Sequence, residues 1–135
     1  MSVNQLPNLL NERAGYKPFW YNWAYEACLR QHQIHWLPEE VPLSNDVTDW
    51  EFKLTKEEKN LLTQIFRFFT QADVEVNNCY MKKYAQIFKA TEVQMMLATF
   101  SSMETVHIMA YSHLLDTIGM PETEYTAFLK YKEMK

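Results

Sequence analysis

The stretch from Val93 to Ile118 constrains this chain more than any other. It is an apolar run with helical period, and Glu104, His107 and Tyr111 lie inside it. Residues three and four apart share one helix face. The three therefore form one stripe that offers, in order, an oxygen ligand, a nitrogen ligand and an oxidisable phenol. Met103, Val106, Met109, Ala110 and Leu114 surround that stripe with apolar or small side chains. Ionisable groups in such surroundings are costly to bury unless paired or bound to metal. Taken alone, a Glu-x-x-His also fits an exposed glutamate beside a hydrogen-bonded core histidine, because paired titratable groups occur in purely structural networks. The apolar flanks shift the balance toward a metal. Carboxylate plus imidazole suits iron or manganese, and no thiolate in the motif suggests zinc or an iron–sulfur cluster.

The rest of the chain reads as helical. Leu61, Leu62, Ile65, Phe66, Phe69, Ala72 and Val76 recur at three- and four-residue intervals, the helix period. Thr55 with Glu58 forms a capping box just before them, which predicts a helix over 56–87. At 1.5 Å per residue it would span about 45 Å, the length of a bundle helix. Thr91 with Gln94 predicts a second box and a helix over 92–118, with Gly119 as its stop and Pro121 beyond. A shorter helix is expected over Trp23–Ile34, and another from Pro121 with Tyr125, Phe128 and Leu129. Between the first helix and Thr55, Pro38 and Pro42 predict an extended segment that continues through Asp49–Leu54. Residues 1–18, with Pro7, Gly15 and Pro18 as breakers, read as an irregular arm.

Only two glycines occur among 135 residues, which favours long helices over a turn-rich all-β fold. Apolar residues make up 47% of the chain, ample for a core and contrary to disorder. The net charge is -4 and the basic residues are dispersed, so no basic stripe points to nucleic acid. No apolar run reaches the roughly 20 residues that cross a bilayer, and the N-terminus lacks the pattern of a signal peptide. Cys28 and Cys79 are too few for a disulfide framework and read as two buried or partly buried thiols. These features together predict a soluble, cytoplasmic protein.

A metal pair needs a ligand on the neighbouring helix. Asp73 lies on or beside the apolar stripe of Phe66, Phe69 and Val76, and Glu75 is its rival about 200° away around the helix. Periodicity leaves Asp73 open between a ligand and a solvent-facing residue at the edge of the stripe. An inward Glu-x-x-His is half of the ligand pattern of the ferritin-like di-iron and di-manganese carboxylate proteins. The run Trp36-Leu37-Pro38-Glu39-Glu40-Val41, the Asp73 helix, and Met103-Glu104-Thr105-Val106-His107 through Tyr111-Ser112-His113 resemble, in order and spacing, the small, radical-generating subunit of class I ribonucleotide reductase. The resemblance covers roughly residues 17–135.

The resemblance implies an all-α, ferritin-like helical bundle of which this chain is the N-terminal part. It would consist of an arm over 1–18 and a partial domain over 19–135. Asp73 and His107 would ligate the first of two iron ions, with manganese as the other possibility, and Glu104 would bridge the pair. Tyr111 would become the stable neutral radical, and Trp36 would relay electrons toward the large subunit. The implied activity is the small-subunit role in ribonucleoside-diphosphate reduction, performed as a homodimer with the large catalytic subunit as partner. His32, His35 and His113 read as capping, surface or structural groups. The aromatic residues Phe19, Trp20, Tyr21, Trp23 and Tyr25 read as packing, and Phe66, Phe68 and Phe69 as core or subunit interface.

One part of the family pattern is not found in this sequence. Beyond Tyr111 the acidic residues are Asp116, Glu122, Glu124 and Glu133, and none precedes a histidine by three. With three of about six protein ligands, the chain is expected to be the N-terminal portion of a longer protein and inactive alone, because partial sites lose most of their affinity. The alternatives are a short, non-enzymatic helical protein that complements a partner chain, or another ferritin-like di-metal oxidase. Tyr111 argues against the latter.

Overall fold

A computed structural model describes residues 8–120, 126 and 127. Among the described residues five α-helices follow one another: α1 (Asn22–Gln33), α2 (Ser44–Thr48), α3 (Lys56–Cys79), α4 (Ala85–Ile87) and α5 (Thr91–Ile118). A 3-10 turn at Pro38–Glu40 precedes α2, and π-turns at Asp49–Lys53 and Tyr80–Tyr84 follow α2 and α3. No strand occurs among the described residues. The helix expected from Pro121, with Tyr125, Phe128 and Leu129, lies outside the described residues, as do residues 1–7 of the arm. The chain divides into two compact units. The first joins the described residues up to His35 with Val76–Glu104, and the second joins Trp36–Glu75 with the described residues from Thr105 onward. Both α3 and α5 run through the chain positions where one unit ends and the other begins.

The first unit is built on small side chains. Ala24 and Cys28, four apart on α1, are buried, and Ala24 joins Ala90, Val93 and Leu97 in one core cluster. Small residues at that spacing let a helix approach its neighbour closely. The Cys28 thiol accordingly lies 3.1 Å from the Thr99 hydroxyl, which donates to the Met95 carbonyl at 2.9 Å. Both cysteines are free thiols, Cys28 buried and Cys79 partly so.

Glu92, in the first turn of α5, is fully buried. Its carboxylate accepts from the backbone N–H groups of Trp20 and Tyr21 at 2.8 and 2.9 Å and pairs with Arg13. The Arg13 guanidinium in turn stacks 4.8 Å from the centre of the Trp20 ring. Burial pushes the Glu92 carboxyl up, but the N–H groups of Tyr21, Glu92 itself and Trp20, with Arg13, outweigh it and hold the group below its ordinary range. A buried carboxylate is tolerated only when its oxygens are satisfied in this way.

In the second unit the expected capping box forms in full. The Thr55 N–H donates to the Glu58 carboxylate at 2.9 Å, and the Glu58 N–H donates to the Thr55 hydroxyl at 3.2 Å. Helicity then persists to Ile87 as expected, although the π-turn at Tyr80–Tyr84 divides it. At the far end of α5, Gly119 has a φ of +73°. Its N–H bonds to the Asp116 carbonyl, and the Met120 N–H reaches back to Leu115. This is the paired-bond stop that a left-handed glycine permits.

Two local expectations are corrected. The segment 38–54 is not extended but folds into the 3-10 turn, α2 and a π-turn. Proline restricts the residue before it, and Leu37 and Val41 are indeed extended. Proline itself has a φ suited to a first helical position, so a short turn starts at Pro38, supported by the Glu40 carboxylate accepting from the Leu37 N–H at 2.9 Å. The second expected box, Thr91 with Gln94, does not form. The Gln94 amide donates instead to the carbonyls of Ala85 and Phe88, and the N–H groups of Val93 and Gln94 close the first turn on the Ala90 carbonyl.

Candidate metal centre

Asp73 stands three-quarters of the way along α3, on the stripe that also carries Phe66 and Phe69. Its side chain is the carboxylate that α3 draws inward, leaving the residue 9% exposed. Glu75 lies on the exposed side and accepts from the Gln71 amide at 2.9 Å. On α5, Glu104 and His107 stand one turn apart and are half-buried. Asp73, Glu104 and His107 each offer one ligand atom, and these atoms lie within 4.8 Å of one another. The donor set fits the expected metals: two carboxylates and one imidazole without a thiolate suit iron or manganese. No other group of three such residues occurs among the described residues.

Trp36, at the start of the second unit, brings its ring to 6.4 Å from the His107 imidazole, at an interplanar angle of 35°. Tyr111 follows His107 by one turn and is half-buried. Its ring stacks on Phe69 at 5.7 Å with an interplanar angle of 3°, and Phe66 approaches at 6.4 Å and 57°. Burial, and then the charge of Asp73, raise the Tyr111 phenol above its ordinary value. The phenol therefore stays protonated through the neutral range.

The remaining histidines stand apart from this group. His113 is exposed, and its carbonyl accepts from Thr117. His32 reaches the Thr99 hydroxyl at 3.4 Å in the first unit, and His35 is exposed. Two neighbours of the candidate residues escaped the sequence reading. By sequence Phe69 reads only as a core or interface aromatic, although its four-residue spacing from Asp73 repeats that of Tyr111 from His107. Tyr80 lies in the first unit beside Phe100, at 5.9 Å. Burial, and then the charge of Glu104, raise its phenol. Tyr80 stands in the π-turn, where helical spacing gives no guide to its facing.

Comparison with known proteins agrees with this architecture. The family model described as "Ribonucleotide reductase, small chain" matches residues 13–135. The probable ribonucleoside-diphosphate reductase small subunit 376L of Invertebrate iridescent virus 6 is 49% identical over 128 residues, covering 95% of this chain and 36% of the relative. The corresponding probable small subunit 048L of Invertebrate iridescent virus 3 is 43% identical over 134 residues, covering 99% and 35%. Among solved structures, the ribonucleotide reductase R2 subunit from Clostridium botulinum superimposes with a TM-score of 0.74 at 26% identity, covering 84% of this chain and 36% of that one. The chain thus spans about a third of the length of these relatives. Its fold is the all-α, ferritin-like fold of an R2 subunit, in part. The chain belongs to the ribonucleotide reductase small-chain family.

Proposed function

We propose that this chain carries part of the di-metal, radical-generating site of a ribonucleoside-diphosphate reductase small subunit. The observation that carries the reading is the convergence of Asp73, Glu104 and His107 within 4.8 Å, with Tyr111 one turn beyond His107. In this reading Asp73 and His107 would hold the first metal and Glu104 would be shared with the second. When bound, the metal pair supplies the oxidising power that removes one electron from a phenol; iron is our choice, with manganese the alternative. The protein's own task is to position that phenol and keep water and reductants from it. A phenol is protonated through the neutral range, so its oxidation to a neutral radical releases the Oη proton along with the electron. Trp36, beside the His107 ring, is suited to relay an electron between the site and a partner surface.

The proposed partner is the large, nucleotide-reducing subunit, and the proposed assembly is a homodimer in the cytoplasm. Several large apolar side chains support an assembly. Phe52 is 79% exposed and Leu61 61%, apolar surface that the rest of a longer subunit or a partner would cover. No described helix is long and apolar enough to cross a membrane, and nothing in the charge pattern suggests nucleic acid. As one domain reading, residues 19–135 form the partial ferritin-like domain and residues 1–18 its arm.

The test is Tyr111→Phe in the complete, metal-loaded subunit, which supplies the remaining ligands. Metal content should stay at the parent level, and the tyrosyl signal in electron paramagnetic resonance should vanish. A signal that survives the substitution removes Tyr111 from the role.

A further inference from the structure

We infer that Phe69 is a positioning residue for Tyr111: its ring covers one face of the phenol, fixes the ring plane and sets how long the oxidised form lasts. The inference rests on the reading of Tyr111 given above. It starts from register within the second unit. Phe69 precedes Asp73 by four residues on α3, and Tyr111 follows His107 by four on α5. The alignment that brings Asp73 to His107 therefore also brings Phe69 to Tyr111. The two ring planes are parallel to within 3°, with centroids 5.7 Å apart. That is offset stacking, one of the arrangements aromatic pairs prefer.

Phe69 is itself held in place. Phe68 meets it edge-on at 5.2 Å and 84°. Phe69 is 38% exposed and Tyr111 is half-buried, so the stacked ring is the more exposed of the pair. Phe66 touches the same phenol at a slant of 57° and cannot replace a flat cover. A neutral phenoxyl is lost when it takes up one electron and one proton from a reductant such as a thiol. Two phenoxyls so quenched return to phenols, and the two spent thiols join as one disulfide. A ring stacked on the phenol slows that encounter. It also restricts rotation about the Cβ–Cγ bond, which governs the coupling of the unpaired electron to the Cβ protons.

The experiment compares the parent protein with Phe69→Leu, which keeps an apolar side chain but removes the flat face, and with Phe69→Tyr, which restores a ring. In the metal-free full chain, nitration of Tyr111 by tetranitromethane is mapped by mass spectrometry. Removing one aromatic partner should raise its rate about tenfold in the Leu variant, and the Tyr variant should match the parent. In the complete, metal-loaded subunit, the radical of the Leu variant should decay about tenfold faster in the presence of a thiol and show an altered Cβ-proton splitting. Equal nitration of the parent and the Leu variant overturns the inference. So do unchanged decay and splitting, even where nitration rises. If the complete parent subunit gives no radical, the reading of Tyr111 falls, while nitration still decides whether Phe69 packs on it. Should the Leu variant lose its helical circular dichroism, Phe69→Met takes its place under the same criteria.

Discussion

At the scale of single residues, the candidate centre joins two groups that local pattern treats differently. Glu104 and His107 are legible from one helix, because their three-residue spacing and apolar flanks are local facts. Asp73 is not, since a carboxylate at the edge of an apolar stripe suits either a ligand or a solvated group. Only the approach of the neighbouring helix separates it from Glu75, which turns to Gln71 instead. The assignment of His107 can be tested on its own. His107→Ala removes the one nitrogen donor of the cluster and leaves two carboxylates, a set with less preference for iron. Metal content and tyrosyl radical should fall together, read by elemental analysis and paramagnetic resonance on the same sample. Full metal occupancy in that variant would contradict the ligand assignment.

At the scale of elements, one buried carboxylate joins the N-terminal arm to the start of α5, beside the packing of Leu9 and its backbone bond to Lys89. Glu92→Gln keeps the shape but strands the Arg13 guanidinium, and breaking a buried pair from one side costs about 3 kcal/mol or more. The midpoint of denaturant unfolding should fall accordingly. The pH dependence has a definite sign. Glu92 lies below its ordinary value of 4.5 in the folded chain, so its contribution is complete above that value and is lost as the pH falls through the depressed one. The variant should lack this part of the acid limb, and an acid limb unchanged from the parent would show that Glu92 is not its source. At the other end of α5, Gly119→Ala places a Cβ on a backbone with φ +73°. No neighbouring atom obstructs it, so the cost is that of the left-handed conformation alone, about 1 kcal/mol. Thermal melts should shift by a few degrees.

These elements also mark where local reading stops. The Thr55–Glu58 box and the Gly119 stop were legible because each partner lies within a few residues. Glu92 was not, because Arg13, Trp20 and Tyr21 lie 79, 72 and 71 residues away in sequence. The turn over Tyr80–Tyr84 escaped as well, since the period of α3 carries no sign of the extra residue that a π-turn inserts.

At the scale of the whole molecule, the ferritin-like character was legible from two long helical periods and one ligand motif, whereas the number of metals the chain can hold is a separate matter. The described residues bring together three ligands, and a di-metal centre of this type draws on about six. A divalent ion that binds the folded chain and not the unfolded one stabilises it by mass action. Titration of the 135-residue chain with Mn(II), followed by calorimetry, should therefore saturate at one ion per chain and raise the melting temperature. Three ligands hold an ion far less firmly than a full shell, so the affinity should be weak. His107→Ala should abolish both effects, while Tyr111→Phe should leave both intact because the phenol is not a ligand. Saturation at two ions would locate further ligands within this chain and undo the count of three. The absence of any saturable binding would mean that Asp73, Glu104 and His107 form a site only when the remaining ligands are present, which makes the metal a product of the assembled subunit rather than of this part of it.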